Sequence, residues 1–140
     1  MENQYPIGLL LKKISRKMEQ QLNQDLNCYG LTAVQLQALL TLNNAPEQTL
    51  TMKQLEKELH SAQSTTLGLI NRLEQKGYVT TYTDELDRRV KCVRITADGS
   101  DFCSLSEEGQ KNAEEILHNV LSVEERDALN DYLMRIWKAI

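Results

Sequence analysis

The stretch VTTYTDELDRRVKCVRIT, residues 79–96, places two runs of strand-forming residues on either side of a charged segment. β-Branched and aromatic residues dominate both runs, and Val93 and Ile95 alternate with polar or charged neighbours. Such alternation is typical of a strand with one buried face. The stretch therefore predicts a β-hairpin. Its tip contains Asp87, Arg88 and Arg89.

The segments before the hairpin have helical patterns. Apolar residues within positions 7–26 recur at steps of three and four, which predicts a long amphipathic first helix. Two capping-box pairs, Thr32 with Gln35 and Thr51 with Gln54, mark the starts of a second and a third helix.

A fourth helix is predicted between the sequence HSAQ and Gly77, because glycine suits the left-handed position that follows many helices. Its expected inward face contains Thr66, Leu69, Ile70 and Leu73. Its expected outer face contains Gln63, Ser64, Leu67, Gly68, Asn71 and Arg72. The window from Leu59 to Leu73 holds no acidic residue.

Two further helices are predicted after the hairpin. Apolar spacing over about residues 97–120 indicates one helix, and Gly99 and Gly109 predict a bend at its start or middle. Ser122 with Glu125 is another capping box, which begins a last helix that runs to residue 140.

The order helix, helix, turn, helix and hairpin is that of a winged helix-turn-helix. We therefore predict a mainly α fold with a small β-hairpin wing. With 140 residues, 41% hydrophobic content and no linker or repeat, residues 1–140 are expected to form a single domain. The winged-helix core is predicted over about residues 31–96.

The net charge of −4 is unevenly distributed. Residues 51–96 contain eight basic and six acidic residues, whereas the chain after residue 96 contains four basic and ten acidic residues. The middle of the chain therefore suits a polyanionic partner better than the whole chain does.

A helix-turn-helix contacts the major groove of DNA through its second helix, which needs an outer face without carboxylates. The fourth predicted helix meets this requirement. Lys53 and Arg72 are candidate phosphate contacts, although Arg72 also has Glu74 or a wing acid within reach as an ion-pair partner. Asp87 and Arg89 suit an exposed hairpin-tip salt bridge, worth about 0–1 kcal/mol, that also holds the arginine in place.

Three segments carry a resemblance to a known family. They are YGLTAVQLQAL at residues 29–39, LINRLEQKGYV at residues 69–79, and DRRVKCVRIT at residues 87–96, which is followed by Ala-Asp-Gly. In this order and at this chain length they resemble the MarR family of winged-helix transcription regulators, and the likeness covers nearly the whole chain.

The resemblance implies a homodimer formed by helices at about residues 6–28 and 97–140. It implies binding to a roughly palindromic operator in double-stranded DNA, with the fourth helix in the major groove and the wing, through Asp87 and Arg89, in the minor groove. It also implies a small aromatic or phenolic effector between the dimer helices and the DNA-binding lobe. The sequence leaves the existence and identity of this effector open, and also whether transcription is repressed or activated.

Two positions depart from the family pattern. Many members have a basic residue where Gly68 stands, so we expect base contacts through Gln63, Ser64, Thr65 and Asn71 instead. The wing lacks the proline or glycine that often precedes its aspartate. It has Glu85 and Leu86 there.

Other functional classes have little support. His60 and His118 have no carboxylate or cysteine at ligand spacing, so no metal site is expected. Three cysteines without paired spacing predict reduced thiols, and Cys28 is expected to be a small buried thiol rather than a redox-active one. No catalytic or cofactor-binding motif is present, so we predict neither an enzyme nor a cofactor.

The cellular location is predicted from two absences in the sequence. No apolar run approaches the ~20 residues needed to cross a bilayer, and no charged-then-apolar leader opens the chain. We therefore expect a cytoplasmic protein that does not enter a membrane. The alternative to a DNA-binding regulator is a winged-helix module that binds another protein.

Overall fold

The computed structural model describes residues 5–140, apart from the side chains at positions 108, 109 and 113. This range is mainly helical, with a small sheet that contains the predicted wing. The elements are α1 (Ile7–Leu26), α2 (Ala33–Asn43), β1 (Thr49–Thr51), α3 (Met52–Leu59), α4 (Gln63–Gln75), β2 (Val79–Thr83), β3 (Lys91–Ile95), α5 (Ala97–Leu105), α6 (Glu107–Val120) and α7 (Val123–Ala139). The predicted fold class is confirmed, with one strand added and one helix divided in two.

Local hydrogen bonds set the helix boundaries where the sequence predicted them. In each of three capping boxes, the hydroxyl of the first residue accepts a backbone N–H while the side chain three residues later accepts a backbone N–H in return. These boxes join Thr32 with Gln35, Thr51 with Gln54, and Ser122 with Glu125. Gly77 has the predicted left-handed conformation, with φ of 79°.

The sheet has three antiparallel strands in the order β1-β3-β2, whereas the sequence predicted only the two strands of the hairpin. Leu50 of β1 and Thr81 of β2 both lie opposite Val93, on the two sides of β3. The prediction missed β1 because three residues are too short for a period-two pattern. Only its pairing with the distant β3 makes this segment a strand.

The hydrophobic core lies where α2, α3 and α4 meet the sheet. Its largest fully buried side chains include Leu36, Leu39, Leu42, Leu55, Ile70, Leu73, Val79 and Val93. Full burial of each leucine, isoleucine or valine contributes roughly 1.5–3 kcal/mol to folding. Because α4 and the wing strands share one core, their relative positions are set by the same packing.

The region after the wing begins with a close backbone approach. Thr96 Oγ1 accepts a hydrogen bond from the backbone N–H of Gly99 at 3.1 Å, which caps α5. A Cβ at position 99 would overlap the carbonyl oxygen of Tyr78. Gly99 therefore permits the first turn of α5 to approach Tyr78, in the turn between α4 and β2, and α5 continues through Gly99.

The single helix predicted over residues 97–120 is wrong, because Ser106 divides it into α5 and α6. Ser106 is buried, and its hydroxyl donates to the carbonyl oxygen of Cys103 at 3.0 Å. Gln110 Nε2 donates to the same hydroxyl at 3.1 Å. The bend expected near the middle of this segment is therefore the junction of α5 and α6 at Ser106, where the side-chain bonds form.

The helices outside the core expose much apolar surface. Leu26 is the only residue of α1 that is buried, and all 17 residues of α7 are described and none is buried. Exposed apolar residues on these two helices include Ile7, Leu10, Leu11, Ile14, Tyr132, Leu133, Ile136 and Trp137. Within residues 5–140, no helix has the length and apolar composition needed to cross a bilayer.

Candidate nucleic-acid interface

A hydrogen-bonded turn sets the angle between α3 and α4. His60 ends α3 in the left-handed conformation, with φ of 50°, and the backbone N–H of Ser61 donates to the carbonyl oxygen of Glu56 at 3.1 Å. The Ser61 hydroxyl bonds to that of the buried Thr66, and Thr66 Oγ1 donates to the carbonyl oxygen of Ala62 at 3.0 Å. The first turn of α4 is thereby fixed to the end of α3.

The two faces of α4 are those predicted from the sequence. The inward residues Thr66, Leu69, Ile70 and Leu73 are buried. The outer face exposes Gln63, Ser64, Thr65, Leu67, Asn71 and Arg72, and Gly68 is half-buried among them. This face therefore presents hydrogen-bonding groups without a carboxylate from residue 59 to residue 73, and the positive end of the helix dipole lies at its start.

The wing ends in a tip that is held by its own backbone. The N–H of Asp84 donates to the carbonyl oxygen of Val90 at 2.9 Å, and the N–H of Val90 donates to that of Asp87 at 3.0 Å. Asp84 Oδ1 also accepts the backbone N–H of Leu86 at 2.9 Å. The tip is consequently a defined turn although neither proline nor glycine precedes Asp87.

Arg89 is held in a two-point pair with Asp87. Arg89 Nε donates to Asp87 Oδ1 at 3.1 Å, and Arg89 Nη2 donates to Oδ2 at 3.3 Å. The guanidinium and then the backbone N–H of Arg89 hold the pKa of Asp87 below its ordinary value. The Arg89 side chain is nevertheless 91% exposed, so the pair orients the arginine without covering it.

A groove of about 780 Å³ separates the wing from α3 and the start of α4. Basic and polar side chains that the sequence predicted as DNA contacts line it together, and two acids also lie there. The lining includes Lys53, Glu56, Gln63, Leu67, Asp87, Arg89 and Lys91. Tertiary structure therefore brings both predicted binding elements to the two sides of one groove.

Glu74 joins the end of α4 to the wing, a role that the sequence did not predict. Its Oε2 accepts the backbone N–H of Thr81 at 2.9 Å and the Thr81 hydroxyl at 2.7 Å. Among the described side chains Arg72 forms no ion pair, so the suggested pairing with Glu74 is absent. No sequence signal links Glu74 to Thr81, because their contact depends on how β2 returns along α4.

Comparison with known proteins places these features in one family. Residues 29–90 match the model of the MarR family. The chain is also 33% identical over 100 residues to the organic hydroperoxide resistance transcriptional regulator of Bacillus subtilis strain 168. The match covers 71% of this chain and 65% of that regulator, so the chain spans just under two-thirds of its length.

The chain belongs to the MarR family.

The similarity to other members extends over most of the chain. The multiple antibiotic resistance protein MarR of Escherichia coli strain K12 is 26% identical over 132 residues, which cover 93% of this chain and 89% of MarR. The S. aureus MepR–DNA complex superimposes with a TM-score of 0.88 at 25% identity, over 98% of this chain and all of MepR. A mutant of E. coli MarR complexed with operator DNA gives a TM-score of 0.82 at 26% identity, over 94% and 93% of the two chains.

A second cavity in this MarR-family chain lies where α1 and α6 meet the winged-helix core. It has a volume of about 510 Å³ and lies between α1, α2 and α6. Apolar side chains and a few polar ones line it, among them Met18, Leu22, Val34, Leu36, Leu40, Gln37, Gln110 and Glu114. This is the location where the family resemblance implies a small aromatic or phenolic effector.

Cys28 and Cys103 differ in their surroundings. The prediction of a buried Cys28 is wrong, because this thiol is exposed, with Sγ donating to the carbonyl oxygen of Asp25 at 3.6 Å. Cys103 is buried, and burial raises its pKa. Within the described part of the chain, no cluster of three or more histidine, cysteine or acidic side chains suits a metal ion.

Proposed function

We propose that this protein is a sequence-specific, DNA-binding transcriptional regulator that binds a palindromic operator as a homodimer. One observation carries the proposal. The carboxylate-free outer face of α4 lies across a single groove from Arg89, which Asp87 holds at the exposed tip of the wing. Such an arrangement offers one element for a major groove and a second for the adjacent minor groove.

Base recognition is assigned to the outer face of α4. Gln63, Ser64, Thr65 and Asn71 have side chains that donate and accept hydrogen bonds with base edges. Leu67 suits contact with a thymine methyl group, and the missing side chain of Gly68 allows the helix backbone to approach the base pairs closely.

Backbone contacts are assigned to the basic residues around that face. Lys53 at the start of α3, Arg72 on α4 and Arg88 at the wing tip are exposed cations that suit phosphate groups. Arg89 suits a narrow minor groove, where the negative potential is strongest over A·T-rich sequence. Asp87 acts through Arg89 and is assigned no DNA contact.

The exposed apolar surfaces of α1 and α7 support the homodimer. A single winged-helix lobe has no use for surface such as Leu11, Ile14, Leu133, Ile136 and the 60% exposed Trp137. Burying these faces between two copies removes them from water and places two α4 helices about a two-fold axis. The operator half-sites would then lie about one helical turn, or 10 bp, apart.

The cavity between α1, α2 and α6 suits a small aromatic or phenolic effector. Because it joins a dimerisation helix to the DNA-binding core, an occupant there changes the spacing of the two α4 helices and releases the operator. The Bacillus subtilis relative is named as a transcriptional regulator, which supports a regulatory rather than an enzymatic role. The relatives of this chain come from bacteria, whose chromosome lies in the cytoplasm, and a regulator of that DNA would work there.

Selection from a random-sequence duplex library tests the proposal directly. We expect the full-length protein to enrich a palindrome, and an electrophoretic mobility shift to give one complex with two protein chains per duplex. Enrichment of no sequence, together with binding that does not change with salt, would instead favour a module that binds another protein.

A further inference from the structure

The tip of the wing carries an apolar side chain with no partner in the fold. Leu86 is 97% exposed. Hairpin tips usually carry small or polar residues, which supply turn geometry or hydrogen bonds. Leu86 contributes neither buried area nor a side-chain hydrogen bond to this hairpin, so the folded chain alone does not account for a leucine at this position.

The backbone on both sides of Leu86 is held in place. Its own N–H donates to Asp84 Oδ1 at 2.9 Å, and the N–H of Arg89 donates to Asp87 Oδ1 at 3.1 Å. The bond from the N–H of Val90 to the carbonyl oxygen of Asp87 closes the turn. On such a backbone, burial of the leucine by a partner costs side-chain rotamer freedom but little backbone entropy.

We propose that Leu86 inserts into the minor groove of operator DNA beside Arg89, where it packs against deoxyribose and partly unstacks one base step. This inference rests on the proposed function, because the wing tip reaches a minor groove only when α4 occupies the neighbouring major groove. Glu85 and Asp87 flank Leu86 directly, but Asp87 is paired with Arg89. The exposed Arg88 and Arg89, two and three residues away, favour a polyanionic surface. The alternative is that Leu86 contacts another protein rather than DNA, and the experiment must distinguish the two.

The chemistry of the groove matches the side chain. The minor-groove walls are formed by sugars, and leucine is among the apolar residues that architectural proteins insert between base steps. Pyrimidine–purine steps such as TA and CA/TG unstack at the lowest cost. Leu86 therefore makes the operator prefer such a step under each wing without any hydrogen bond to a base.

Two variants at this position test whether the apolar character of residue 86 matters, or whether any substitution at the tip weakens binding. Leu86→Ser removes the apolar group, and Leu86→Met keeps one of similar volume. Binding is measured by fluorescence anisotropy at several salt concentrations, on a labelled duplex that the wild-type protein has selected from a random library. 2-Aminopurine placed at each flanking pyrimidine–purine step in turn reports unstacking.

We expect Leu86→Ser to bind about tenfold more weakly, as the loss of a buried apolar side chain implies. The salt dependence should match the wild type, because leucine releases no counterions. Leu86→Met should bind within about threefold of the wild type and give the same rise in 2-aminopurine fluorescence. Leu86→Ser should give no rise.

Equal affinity and equal fluorescence for Leu86→Ser and the wild type would overturn the inference and leave the proposed function intact. A reduced salt slope for Leu86→Ser, like the slope expected for Arg89→Ala, would also overturn it, because the substitution would then have disturbed the arginine. If the wild-type protein selects no duplex, both the inference and the proposed function are wrong.

Discussion

Asp87 holds Arg89 through both carboxylate oxygens, at 3.1 Å to Nε and 3.3 Å to Nη2, and it also accepts the backbone N–H of Arg89. Because these bonds favour the ionised carboxylate, the pKa of Asp87 is lowered. The pair therefore persists above the ordinary pKa of an aspartate and is lost as pH falls through the lowered value. At neutral pH the guanidinium is oriented before DNA arrives.

Removing Asp87 should weaken operator binding although it removes a negative charge. Arg89→Ala should cost about 1–3 kcal/mol of binding free energy, and Asp87→Ala should cost less, because the arginine remains but loses its orientation. Glu85→Ala is the matched control. It deletes the same charge from the tip without breaking the pair, so it should bind as tightly as the wild type or more tightly. A tighter Asp87→Ala complex by fluorescence anisotropy would contradict a positioning role.

Operator binding should be steeply salt-dependent in spite of the negative net charge. Phosphate contacts by Lys53, Arg72 and Arg88 release counterions, and replacing any one of them with alanine should reduce the slope of log K against log salt by about 1. Lys111→Ala, on α6, is the control and should leave the slope unchanged. A wild-type slope near zero would argue against phosphate contacts altogether.

Deleting residues 123–140 should abolish the dimer. The deletion removes α7, which has no buried residue within the chain, and exposes the remaining apolar faces of α1 and α6. Light scattering should therefore detect monomers or aggregates, while circular dichroism should retain the signal of the winged-helix core. A truncated protein that remains a soluble dimer would show that α7 is dispensable for assembly.

The bonds from Thr81 to Glu74 should set the angle of the wing. Glu74→Ala removes the acceptor of both bonds and should weaken operator binding several-fold, by roughly 0.5–1.5 kcal/mol. Glu74→Gln keeps one oxygen as an acceptor and should bind close to the wild type. If the two variants bind equally well, the contact does not position the wing. Unfolding in urea, measured in parallel, separates a loss of stability from a loss of affinity.

Replacing Gly99 or Gly68 with alanine should change the stability of the fold in opposite directions. Gly99→Ala places a methyl group against the Tyr78 carbonyl and should destabilise the fold by about 1–3 kcal/mol. Gly68→Ala meets open space within α4 and should stabilise it by roughly 0.5–1 kcal/mol. Urea unfolding of both variants tests the contrast. If the two variants are equally stable, the start of α5 tolerates a methyl group against the Tyr78 carbonyl oxygen, and a glycine is not required there.

Several elements were predictable because their causes are local. The capping boxes at Thr32, Thr51 and Ser122 need only residues three positions apart, and the left-handed Gly77 needs only its own missing side chain. The Asp87–Arg89 pair spans two residues of one turn. The buried and exposed faces of α4 also follow from helical spacing alone.

Other features depended on contacts between distant segments. β1 is a strand only because β3 lies beside it, Glu74 meets Thr81 only because β2 returns along α4, and Gly99 is required by the Tyr78 carbonyl. The junction of α5 and α6 is different, because the bonds of the Ser106 side chain to Cys103 and Gln110 are local, although no regular spacing in the sequence marks them. The exposure of Cys28 has no signal in the sequence.

The sequence by itself determined the order of helices and wing, the acid-free face of α4 and the arginine pair at the wing tip. These properties come from residue spacing and from hydrogen bonds within a few positions. Tertiary structure alone decided that Lys53, Gln63 and Arg89 share a groove, and that Leu86 stands uncovered at the tip. Core packing between α3, α4 and the sheet sets these distances, and such packing joins side chains whose separation along the chain has no periodic signature.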